Sequence, residues 1–208
     1  MGNKDNKSIE CKRCGTCCKK GGPSFHMEDI SLIEEGCIPA KYLYTVRKGE
    51  PVCDNRIDKI IFADSDIIKI KGQGSRWACF FYKEDESKCG IYKDRPLECR
   101  LLNCHDTKQI EQIFGKDLLA RESIVGKIEG LWDMVIEHDQ KCSYKEIRKL
   151  IDESKKNESR YLSQKVSELI EYDKALRDIV VTKGGLDSEL LDFLFGRPVS
   201  IVLKQYLT

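Results

Sequence analysis

The sequence predicts a mainly α protein, α+β at most: an irregular, metal-stapled, cysteine-rich half with minor β structure, followed by a helical C-terminal half. Two observations lead there. Ten of the eleven cysteines lie between Cys11 and Cys104, with only Cys142 beyond. Past that segment, apolar residues recur at the 3–4 residue spacing of amphipathic helices. The chain of 208 residues therefore divides into a polar, disordered tail over 1–10, a metal-binding domain over 11–106 and a helical extension over 107–208 packed on it.

In chain order, Ile30, Leu32 and Ile33 give Met27–Glu35 an apolar side and Gly36 a stop, which predicts a short helix. Pro39 opens a second helix expected to run through Tyr42 and Leu43 to Val46. Ile67, Ile68 and Ile70 make Asp66–Lys71 a strand, broken by Gly72 and Gly74, with Trp77–Tyr82 as its partner and Lys83–Lys88 as a polar turn. Asp94 caps a short helix that has Pro96 in its first turn and carries Cys99. Farther on, Ile128, Leu131, Trp132, Val135 and Ile136 form one helical stripe. Ser143 and Glu146 form a capping box ahead of Ile147, Leu150 and Ile151. Leu162, Val166, Leu169, Leu176 and Val180 mark a long helix ended by Gly184–Gly185, and two short apolar helices follow around Leu190–Phe195 and Ser200–Leu207.

Composition removes several function classes. Lys+Arg of 36 against Asp+Glu of 35 leaves a net charge of +1, so no global field points to nucleic acid. The polar start MGNKDNKSIE lacks the apolar region of a signal peptide, and no apolar run approaches the roughly 20 residues of a membrane span. A cytoplasmic location, with no membrane partner, is the expectation. In a reducing compartment eleven cysteines point to metal rather than disulfides. No G-x-S-x-G, P-loop or H-E-x-x-H motif is present.

The strongest signal is Cys11-Lys-Arg-Cys14-Gly-Thr-Cys17-Cys18. Its C-x2-C-x2-C spacing is that of ferredoxin loops, in which two intervening residues let the backbone curl and three thiolates converge. Gly15 allows a positive φ or a close backbone approach to sulfide, and Thr16 with nearby amides can donate hydrogen bonds to sulfur. Neighbouring side chains tend to diverge, so Cys18 is expected to serve a second site. The remaining ligands come from Cys79, Cys89, Cys99 and Cys104. On one helix Cys99 and Cys104 would differ by roughly 140°, so the helix must unwind between them.

Together with Phe80, Ile91, Tyr92 and the run Arg95-Pro96-x-x-Cys99-Arg100, these cysteines resemble the YkgJ-type cysteine-cluster family, a zinc- or iron-chelating domain. The resemblance covers 11–104 and implies a thiolate-held centre, with members often labelled iron–sulfur proteins. One branch is similar to flagellin lysine N-methylase, which uses S-adenosylmethionine. This chain has no glycine-rich methyl-donor motif, so methylation would rest on analogy alone.

The ferredoxin-like triple favours an iron–sulfur centre, 4Fe-4S in one or two copies, over zinc, which takes four ligands and prefers paired C-x2-C units. Lys12, Arg13, Lys19 and Lys20 bracket the loop, and Arg95 and Arg100 flank Cys99 as groups that would bind the negative centre from outside its ligands. Trp77, Phe80, Phe81 and Tyr82 are expected to wall it off from water. Cys37, Cys53 and Cys142 read as small buried apolar residues, with Cys53 a reserve ligand and His105 a weaker one. Two functions remain open. One is an iron–sulfur protein in electron transfer or in support of protein modification. The other is a zinc module whose helical half binds an unidentified protein partner.

Overall fold

The computed structural model describes residues 11, 13–54, 57, 59–74, 77–157 and 160–207. The tail expected over 1–10, and Lys12 of the basic bracket, lie outside them. A 3-10 turn at Met27–Asp29 runs directly into α1 (Ile30–Glu34), where the apolar spacing expects a helix. The helix expected from Pro39 stops after a 3-10 turn at Ala40–Tyr42, and β1 (Leu43–Val46) follows in its place. All four β1 residues are buried. A strand covered on both faces shows no apolar–polar alternation, so periodicity alone does not separate it from a helix. Tyr44, Thr45 and Val46 are aromatic or β-branched, which decides for the strand.

A hairpin that the sequence pattern did not announce comes next, β2 (Pro51–Asp54) against β3 (Lys59–Phe62). β4 (Ile67–Ile70) is the strand expected at Asp66–Lys71, but its antiparallel partner is β1, in register Leu43↔Ile70 to Val46↔Ile67. Beyond it, β5 (Gly72–Gln73) pairs with β6 (Ala78–Cys79), and β7 (Tyr82–Lys83) with β8 (Lys88–Cys89) around the expected polar turn. Four two-stranded antiparallel sheets thus lie among the helices of the described residues. The fold is mixed α+β, which corrects the mainly α expectation. The pattern under-reports β5 to β8 because a pair of two residues per strand carries no readable period.

α2 (Leu97–Leu101) carries Cys99 and ends before Cys104, as the angular argument requires. α3 (Lys108–Ile113) and α4 (Arg121–Val125) lead into α5 (Leu131–Lys141), α6 (Tyr144–Asn157) and the long α7 (Arg160–Thr182). After Gly184–Gly185 come α8 (Leu191–Phe195) and α9 (Val199–Leu207). Among the described residues no helix is long and apolar enough to cross a membrane.

One apolar core runs through both parts of the chain. Phe25, Leu43, Ile68 and Ile70 pack with Leu119, Val125, Val135, Val180 and Phe193–Phe195. Thr45 Oγ1 donates to the Phe193 carbonyl at 2.6 Å, holding α8 on β1. Gly196, at φ +71°, ends α8 where a side chain would strike Arg47 and the Thr45 carbonyl. A second cluster gathers Cys142, Tyr144, Ile147, Val199, Val202 and Leu203.

Charge also crosses between the two parts. The Arg121 guanidinium, only 1% exposed, donates to Asp66 beside β4, to Asp139 of α5 and to the Leu194 carbonyl. Arg47 donates to Asp139 at 3.2 Å, and Arg197 to the fully buried Glu50 at 2.8 Å. On the helical side Asp173 accepts from Arg177 at 2.9 Å and from the Val199 N–H at 3.0 Å, with His138 Nε2 at 2.8 Å. Buried charges persist only when paired, and each charge of this network has an opposite charge beside it, with partners drawn from both halves, while Arg47 Nε and Nη2 are buried without a hydrogen bond.

Candidate metal centre

The cysteine loop is shaped by two left-handed residues and one tight turn. Arg13 sits at φ 56° and Gly15 at φ 74°. The Lys19 N–H then returns to the Gly15 carbonyl at 2.8 Å, and Cys18–Lys20 forms a 3-10 turn. Gly15 answers two demands, a positive φ and contact with Tyr82, whose phenol ring and hydroxyl occupy the place a Cβ would take. Cys14 Sγ lies 3.3 Å from Thr16 Oγ1, the contact expected of Thr16.

Cys17 and Cys18 depart from the expected divergence. Cys17 has helical backbone angles at the start of the 3-10 turn, and the two sulfurs stand 3.9 Å apart. Four sulfurs arranged tetrahedrally around a metal at about 2.3 Å are separated by about 3.8 Å. The pair therefore already spans one edge of such a site.

The downstream cysteines reach the loop from three elements. β6 carries Cys79, β8 carries Cys89, and α2 carries Cys99. Cys104 follows α2 in a turn closed by the Asn103–Asp106 bridge. Cys11, Cys14, Cys17, Cys18, Cys89, Cys99 and Cys104 all line one cavity, with Gly15, Tyr82, Tyr92 and Arg95. Cys79 is buried at 6% exposure and does not line that cavity, but it lies near enough to Cys18 and Cys99 for its ionisation to oppose theirs. Among the described residues no three His, Cys, Asp or Glu side chains already stand in metal-holding geometry. The thiols converge without closing.

The group is graded from inside to outside. Cys11, Cys14 and Cys104 are exposed, Cys17, Cys18, Cys89 and Cys99 are half-buried, and Cys79 is buried. Burial pushes the Cys79 thiol up to about 11. Burial, with the charges of Cys79 and Cys17, pushes Cys99 up as well. Cys17 goes the other way, down to about 6, because the Cys18 thiol donates to it and Arg95 adds positive charge. Cys18, tied up as that donor and partly desolvated, is pushed up.

The two expected arginines part company. Arg95 lines the cavity, donates from Nε to the Tyr92 carbonyl at 3.0 Å and lies 3.9 Å from the Tyr92 ring centre. Arg13 approaches the same ring at 4.3 Å. Arg100 is not among the cavity-lining residues and pairs with Glu28 and, at 3.7 Å, with Asp29. The aromatic wall is also thinner than expected. Tyr82 lines the cavity, whereas Phe80 stacks on Tyr42 and Trp77 meets Tyr44 edge-on. Cys37 and Cys53 are exposed, contrary to their reading as buried apolar residues, and Cys142 is buried. His105 is exposed and its backbone N–H donates to Asn103.

The cysteine pattern did not point to Asp29 or to the hydroxyl of Tyr82. Asp29 is fully buried and accepts hydrogen bonds from the His26 N–H at 3.1 Å and the Leu97 N–H at 2.8 Å. No local signal marks such a long-range contact. For Tyr82 the signal was Gly15, a position that tolerates no Cβ. Its hydroxyl is buried with no hydrogen-bond partner, a condition that costs about 1–3 kcal/mol unless a partner is supplied. An all-thiol donor set, a ready tetrahedral edge and an unpartnered hydroxyl on a residue of the cysteine-lined cavity fit a thiolate-held zinc ion or iron–sulfur cluster.

Residues 10–116 match the family model described as "CxxCxxCC: Putative zinc- or iron-chelating domain". No curated protein and no solved structure matches the chain.

Proposed function

Since the chain belongs to the CxxCxxCC zinc- or iron-chelating family, we propose that its cysteines hold an iron–sulfur cluster that works in electron transfer or in support of modifying another protein. The observation that carries this reading is the crowding of thiols around one cavity. Seven cysteines line it and an eighth lies behind them. One zinc ion and one iron–sulfur cluster each take four thiolates, so eight allow two centres of either kind, and it is the C-x2-C-x2-C loop, the spacing that iron–sulfur loops use, that turns the reading to a cluster. The ligands are drawn from Cys11, Cys14, Cys17, Cys18, Cys79, Cys89, Cys99 and Cys104. Arg95 would offset the negative charge of the centre. Arg100, engaged with Glu28 and Asp29, would act only by fixing α2.

The exposed side of the cavity, at Cys11, Cys14 and Cys104, is where a protein partner would approach. Reduction potentials of such centres are set by burial and by hydrogen bonds to sulfur, and the gradient of exposure across the site supports an electron-transfer role.

A zinc module is the second reading. It is favoured by the Cys17–Cys18 separation of 3.9 Å, close to the edge of a tetrahedral zinc–thiolate site. Metal and acid-labile sulfide analysis on protein purified without oxygen separates the two. Iron with matching sulfide is the expected result. Stoichiometric zinc without sulfide would overturn the first reading in favour of the second.

A further inference from the structure

Tyr82 has an apolar environment on one side and sulfur on the other. It pairs with Cys89 across the β7–β8 hairpin, so the two side chains are cross-strand neighbours, and both line the cavity. Its backbone is pinned by Gln73, whose side-chain amide donates to the Tyr82 carbonyl at 2.6 Å and the Cys79 carbonyl at 3.1 Å. The ring is seated in the space left by Gly15, a residue of the loop segment between Cys14 and Cys17. The residue is 4% exposed and its hydroxyl has no hydrogen-bond partner. Buried hydroxyls are nearly always paired, and seven of the residues that line the cavity with Tyr82 are cysteines.

We infer that the Tyr82 hydroxyl donates a hydrogen bond to a sulfur of the bound centre, making Tyr82 a positioning residue that tunes the metal through its ligand. This inference rests on the metal-centre reading above. An O–H donor stabilises negative charge on sulfur, and that charge is greatest in the reduced state. The bond therefore raises the midpoint potential. It also withdraws electron density from the thiolate, which moves sulfur-to-metal charge transfer to higher energy. Gly15 has the matching role of leaving room for the phenol.

The test compares wild-type protein with Tyr82→Phe, both carrying metal. The substitution deletes one oxygen and keeps the ring against Gly15. Three quantities are read: metal and sulfide per chain, the midpoint potential, and the charge-transfer band. For a zinc centre the band is read with cobalt(II) in the zinc position. The expected result is equal metal content with a lower midpoint, or a band shifted to lower energy. Equal metal content with midpoint and band unmoved would overturn this inference and leave the metal-centre reading intact. Metal absent from the wild type would overturn both. Where Tyr82→Phe sheds its metal, 3-fluorotyrosine placed at position 82 decides. It keeps the ring and strengthens the donor, so the midpoint should rise or the band move to higher energy, and an unmoved value would overturn the inference.

Discussion

Asp29 Oδ1 accepts the N–H of Leu97 at 2.8 Å, across 68 residues of chain. Leu97 is the first residue of α2, which carries Cys99. A buried carboxylate from beside α1 thus does for α2 what a local cap does for an ordinary helix, and in doing so fixes where Cys99 points. Burial raises the Asp29 carboxyl, while the N–H groups of His26 and Leu97 and the charge of Arg100 oppose that rise. Asp29→Ala should cost about 1–3 kcal/mol, from a lost cap and a lost buried hydrogen bond. It should also lower bound metal per chain. Asp29→Asn should cost less, because the amide oxygen can still accept. Urea midpoints with metal analysis on both variants check this.

Arg121 should be the most sensitive charged position. At 1% exposure it serves Asp66 and Asp139 together. Arg121→Met fills much of the volume but leaves both carboxylates short of their partner, and breaking a buried pair from one side costs about 3–5 kcal/mol. A loss in denaturant midpoint of that size is expected, and a change under about 1 kcal/mol would mean that the network adds little.

Acid stability should report on Asp139. Burial works against its ionisation, but hydrogen bonding with His138 and the charges of Arg121 and Arg47 outweigh it and hold the carboxyl down at about 2. A carboxyl held below its ordinary value favours the folded state when ionised. That contribution is complete above about pH 4, the ordinary aspartate range, and is lost as pH falls through about 2. Asp139→Asn should therefore be less stable at neutral pH and show a flatter fall in stability between those values, measured by unfolding across a pH series.

The cysteines should sort by position in the structure. Cys14→Ser and Cys99→Ser, at cavity-lining residues, should lower bound metal and stability together. Cys53→Ser, at an exposed position of a hairpin strand, should change neither. Cys142 is buried in the second apolar cluster, where burial pushes its thiol up to about 11. Cys142→Ser should keep its metal and lose about 1–3 kcal/mol of stability from a hydroxyl placed in an apolar site. Metal content that fell equally in all four variants would contradict this division.

These positions also show how far the sequence could be read. The long helices were legible because α5 and α7 each have one apolar stripe that repeats over several turns. The gathering of cysteines at one cavity was legible because their spacing is chemical rather than structural. β1 was not, since Leu43–Val46 is buried on both faces and a continuous apolar run fits helix and strand alike. The cap of α2 was assigned to nearby Asp94, yet the bond is made by Asp29. Arg100 was expected beside the metal from its place next to Cys99, but on a short helix adjacent side chains face different ways, and Arg100 faces Glu28. Contacts between residues far apart in the chain leave no mark in a local pattern.

The central claim, that these thiols hold the metal, is tested most directly by X-ray absorption at the metal edge of the purified protein. The account predicts a first shell made of sulfur at about 2.3 Å, joined by a metal–metal shell if the centre is a cluster. A first shell dominated by nitrogen or oxygen, or protein that binds no metal at all, would contradict it.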